Sequence, residues 1–73
     1  MTARDWIDAY AARLGIEPPT DDELDQILDL AADAAHASER IAAPVASWLA
    51  ARAGHSLEES LALAREIADA PES

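Results

Sequence analysis

An all-α, compact four-helix domain is predicted by three features of the 73-residue chain. Alanine, leucine, aspartate and glutamate dominate, with only two glycines, a composition that favours helix. Apolar residues recur at helical spacing in four segments. Capping residues, glycines and prolines bound those segments where helices should start and stop. The helices are expected at about 3–14, 21–39, 44–53 and 57–69, in a single domain over residues 1–73.

The first helix has Thr2 as its N-cap and Asp5 in the first turn, where the helix dipole favours a negative charge. Trp6, Ile7, Tyr10, Ala11 and Leu14 make one apolar face. Gly15 suits a left-handed residue just past the end, and Pro18-Pro19 carry the chain across a rigid turn. The second helix opens on a capping box, Thr20-Asp21-Asp22-Glu23. Leu24, Ile27, Leu28, Ala31, Ala34 and Ala35 follow the core-facing rule. The third is shorter. Pro44 suits a first turn and biases Ala43 away from helical dihedrals; Val45, Trp48 and Leu49 are expected to face inward, and Gly54 ends it. The fourth opens on a second capping box, Ser56-Leu57-Glu58-Glu59. Its buried side is Leu57, Leu61, Ala64, Ile67 and Ala68, and Pro71 stops it.

Composition narrows the function. Fifteen acidic residues face five arginines, with no lysine and a formal charge of −10. Such a surface repels phosphate backbones and anionic bilayers, so neither nucleic acid nor membrane is an expected partner. Acidity keeps a small alanine-rich bundle soluble, and it also steers association with positively charged protein surfaces. No basic region followed by an apolar run opens the chain, so no signal peptide is expected and the location expected is cytoplasmic. A chain this short buries only about 60% of its unfolded surface, which disfavours a deep substrate cavity. With no cysteine and two histidines nineteen residues apart, no metal site and no cofactor are expected.

One segment concentrates polar chemistry inside an apolar stretch: Ala34-Ala35-His36-Ala37-Ser38-Glu39-Arg40-Ile41-Ala42-Ala43-Pro44-Val45. Helical winding puts Asp22, Asp25, Asp29 and Asp33 on one stripe opposite Leu24, Leu28 and Ala31. A helix continuing past Ala35 adds His36 and Arg40 to that stripe. These cations then either complement the dipole at a helix C-terminus or serve recognition. Leu30, Ala37 and Ile41 lie on a flank that is either core or an exposed patch for a partner. Catalysis is not expected. His36, Ser38 and Glu39 are too close in sequence to face one another on a helix, so no nucleophile–base–orienter set forms. The two tryptophans read as core anchors.

Gly54-His55-Ser56-Leu57 is similar to the attachment motif of acyl and peptidyl carrier proteins. His55 stands where that motif has Asp, however, and the site falls late in the chain, so Ser56 is better explained as an N-cap. A fuller resemblance rests on Trp6, Leu14-Gly15-Ile16, Leu28-Asp29-Leu30-Ala31 and above all Ala35-His36-Ala37-Ser38-Glu39-Arg40-Ile41-Ala42-Ala43-Pro44. It resembles a bacterial family of small domains of unknown function. Members stand alone or follow the nucleotidyltransferase domain of molybdenum cofactor guanylyltransferase-like proteins. His36, Glu39, Arg40, Ala43 and Pro44 match the family's pattern, while Ile41 stands where the family often has proline. The resemblance implies a non-catalytic accessory or protein-interaction module linked to molybdenum cofactor biosynthesis. Its partner would be such a nucleotidyltransferase-like protein, and its recognition set His36, Glu39, Arg40 and Pro44. Two alternatives stay open. In one, these residues only fix the junction between the second and third helices. In the other, Arg40 binds an anionic small ligand in bidentate fashion.

Overall fold

The computed structural model describes residues 1–69. Four helices follow in order: α1 (Ala3–Leu14), α2 (Asp21–Ala37), α3 (Ala42–Ala53) and α4 (Leu57–Asp69). No strand occurs among the described residues, so the all-α four-helix expectation holds. Pro71 lies outside the described residues.

The helix ends are held by the chemistry their sequences carry. Both α1 and α2 begin with complete, reciprocal capping boxes. The Thr2 hydroxyl accepts from the Asp5 N–H at 3.0 Å while the Asp5 carboxylate accepts from the Thr2 N–H at 3.2 Å. Thr20 and Glu23 repeat the exchange at 3.1 and 2.8 Å. Each pair satisfies donors that a helix start leaves free. At α4 only half a box forms. Ser56 Oγ accepts from the Glu59 N–H at 3.1 Å, but the Glu59 carboxylate lies 3.1 Å from His55 Nδ1 instead. Gly15 and Gly54 close α1 and α3 at φ +75° and +77°, a region costly for any residue with a Cβ.

Two boundaries differ from expectation. α2 stops at Ala37 rather than 39, because Ser38 leaves the helical region (φ −143°, ψ −101°) and its hydroxyl donates back to the Ala34 carbonyl at 2.9 Å. α3 starts at Ala42 rather than 44, so Ala43 is helical despite the proline that follows it. Pro44 still falls in the first turn, where a missing N–H costs nothing.

α2 is the central helix, with α3 and α4 packed against it. Leu30 is its buried centre at 3% exposure, with Ile27, Ala31 and Ala34 part-buried beside it. The facing side of α3 is small, Ala43, Ala46, Ser47 and Ala50, whereas α4 presents Leu57, Ser60, Leu61 and Ala64. Asp33 and Arg65 tie α2 to α4 through a 3.0 Å ion pair. α1 pairs with no helix to a comparable extent. Arg4 anchors it, donating to the Pro19 carbonyl and lying 3.7 Å from Asp21 and 3.2 Å from Asp8. The molecule measures 44 × 24 × 18 Å, and its long axis exceeds the roughly 26 Å of α2 by about the length of α1.

Several residues expected inside lie outside. Val45, Trp48 and Leu49 point away from α2 and are 54–59% exposed. Large side chains inward would hold α3 off from Ile27 and Leu30, whereas the alanine face allows close approach. Neither tryptophan anchors the core, since Trp6 also stays exposed; on α1 only Ala11 is buried, with Ile7 part-buried. Leu28, Ile67 and Ala68 are exposed as well. Of the flank on α2, Leu30 is core while Ala37 and Ile41 are exposed.

Candidate functional site

The junction between α2 and α3 is closed by the backbone. The N–H of Ala42 donates to the Glu39 carbonyl at 2.9 Å and that of Ala43 to the Arg40 carbonyl at 3.1 Å. α3 has no side-chain N-cap, since Ile41 stands at the cap position. The turn therefore forms without help from the charged side chains. His36, Glu39, Arg40 and Pro44 are all exposed. Among the described residues, none of His36, Glu39 or Arg40 forms a side-chain hydrogen bond or ion pair within the chain.

The four residues do not share one concavity. His36 sits on the last turn of α2 in a shallow hollow with Asp33, Ala37, Arg65, Ala68 and Asp69. Glu39 lines a different hollow with Ser38, Ile41, Ala42 and Val45. Because α2 ends at Ala37, Arg40 does not continue the acidic stripe through His36. Of that stripe, Asp22, Asp25 and Asp29 are exposed and Asp33 is part-buried against Arg65.

Ser38 Oγ is committed to the Ala34 carbonyl, and the Ser56 hydroxyl to the cap of α4. Among the described residues, no three His, Cys, Asp or Glu side chains gather as metal ligands, and no helix is long and apolar enough to cross a membrane.

Sequence reasoning missed the outer face of α3. Ile41, Val45, Trp48 and Leu49 run along it at 72%, 54%, 59% and 54% exposure. The Arg52 guanidinium lies over the Trp48 ring at 5.1 Å, within cation–π range. On α1, Trp6 and Tyr10 form a second exposed pair with ring centroids 5.0 Å apart. The available signal was the set Ala42, Ala43, Ala46 and Ala50, a small-residue stripe of its own on the opposite side of α3. No curated protein matches the chain, and no solved structure does. Residues 1–72 match a protein family: the chain belongs to the family described as a domain of unknown function, DUF6457.

Proposed function

We propose that this domain is a non-catalytic protein-interaction module whose recognition set is His36, Glu39, Arg40 and Pro44. Its partner on this reading is a nucleotidyltransferase-like protein of molybdenum cofactor biosynthesis. One observation carries the proposal. Three charged or titratable side chains crowd one junction, yet the turn there is made by carbonyls and a serine. Side chains that only fixed the junction would be buried or would bond a helix end, and Glu39 and Arg40 do neither; His36, on the last turn of α2, is also placed to complement the helix dipole. The link to the cofactor rests on the resemblance carried by Ala35 to Pro44.

The test compares wild type with His36→Ala and Arg40→Ala. Surface substitutions away from buried contacts change stability by no more than about 0.5 kcal/mol. Melting temperatures should therefore stay within about 4 °C of wild type. Affinity for a purified molybdenum cofactor guanylyltransferase should fall at least tenfold, about 1.4 kcal/mol. Variants that melt much lower while binding is unchanged would make the segment architecture and overturn the reading.

A further inference from the structure

We propose that the outer face of α3 pairs with the same face of a second copy of this chain, antiparallel across a two-fold axis. The pattern on that face is self-complementary. Ile41, Val45, Trp48 and Arg52 are separated by four, three and four residues, a spacing that reads the same in either direction. It is also the alternating four–three spacing of a helix–helix seam. In an isologous pair, residue i meets j as j meets i. Centring the axis between Ala46 and Ser47 sets Val45 against Trp48 of the second copy, and Ile41 against its Arg52. Leu49 widens the seam on one flank.

Charge points the same way. α3 contains no acidic residue, and Arg52 is its only charge, in a chain of net −10. The face thus loses little hydration when covered. Glu39, which lines the same hollow as Ile41 and Val45, is the acid nearest the end of the seam that Arg52 of the second copy would reach. The second copy would then contribute a residue beside the candidate recognition junction.

The chain exposes 5863 Å², more than the roughly 4,400 Å² of a compact monomer of 7.8 kDa; the loosely packed α1 and the α3 seam both contribute to the surplus.

Sedimentation equilibrium at about 10–100 μM tests the pairing, with salt raised from about 0.05 to 0.5 M. Wild type should weigh twice the 7.8 kDa chain. Because the two copies repel overall and meet through an apolar seam, screening should tighten the dimer as salt rises; docking on a basic protein would weaken instead. Trp48→Asp and Leu49→Glu should each give monomers of unchanged helical content, since both side chains are half-exposed within one chain. Trp6→Asp, His36→Ala and Arg40→Ala should remain dimers. A wild type that stays monomeric at 100 μM in high salt overturns the proposal, and so does a dimer that survives both α3 substitutions. Glu39 borders both surfaces, so the recognition set is tested through His36 and Arg40, and its test is read in partner affinity rather than mass.

Discussion

Leu30→Ala should be the most damaging single truncation of an apolar side chain in this domain. At 3% exposure Leu30 is the one large side chain buried among the described residues, and α3 and α4 lie on either side of it. Truncating a buried leucine costs its transfer free energy plus a cavity term, about 2–5 kcal/mol. The lining here is Ile27, Ser47, Ala50, Ala51, His55 and Leu57. The alanines and the serine are too short to close the gap, although the cleft they border admits water. These effects oppose each other and place the expected loss near the middle, about 3 kcal/mol. A chain of this length has about 4–11 kcal/mol in total, so the melting temperature should drop by at least about 12 °C. Leu28→Ala is the control: same chemistry, same helix, but 58% exposed, with an expected loss of about 1 kcal/mol in proportion to the area it buries. Urea unfolding followed by circular dichroism at one fixed protein concentration measures both. Equal losses at the two positions would refute the placement of the core on the Leu30 side of α2.

Thr20→Ala removes the hydroxyl of the better-formed capping box and should cost about 1 kcal/mol, read in the same unfolding experiment; no loss would mean that the start of α2 is held by packing. Asp33→Asn should weaken the link to Arg65 by no more than about 1 kcal/mol, and the difference from wild type should shrink in 0.5 M salt, because Arg65 is half-exposed and such pairs are screened. Arg4→Ala should speed amide exchange throughout α1 while leaving α2 to α4 protected, because Arg4 carries the contacts to Pro19 and Asp21 and α1 has little other packing. Tenfold dilution should lower the wild-type melting temperature by a few degrees if folding is coupled to pairing, whereas Trp48→Asp should melt at one temperature at every concentration.

Helix existence and most helix ends were legible in the sequence because they depend on local chemistry. Thr20 with Glu23, Thr2 with Asp5, and Gly54 in the left-handed region act within a few residues of themselves. The end of α2 was not legible to within a turn. Ser38 has two outlets for its hydroxyl, solvent or the carbonyl four residues back, and nothing local decides between them. The inner side of α3 was misread for a different reason. Periodicity identifies an apolar stripe only where the opposite face is polar, and here Val45, Trp48 and Leu49 face away from an equally apolar row of alanines. Which row turns inward is decided by α2, whose own bulk at Ile27 and Leu30 leaves room for little more than a methyl group. The candidate site was legible as a cluster of residue types, but its split into two hollows follows from the early end of α2.

The inversion of α3 ties the thin core to the exposed seam. Turning Trp48 and Leu49 inward would bury two large side chains, each worth about 1.5–3 kcal/mol, a sizeable share of what a chain this short has in hand. The fold instead buries alanines and leaves that apolar surface in water. Such an arrangement is stable only to the extent that α2 draws α3 and α4 close, which explains why small residues line the α3 contact, while Leu57 and Leu61 supply the bulk on α4. It also means that the largest stabilisation still open to this chain lies outside it. Whatever covers Ile41, Val45, Trp48 and Leu49 adds its binding free energy to folding. The recognition junction begins at the same end of α3. Covering the seam would therefore hold α3, and with it the carbonyl-made turn that displays Glu39 and Arg40, more firmly than the single chain does.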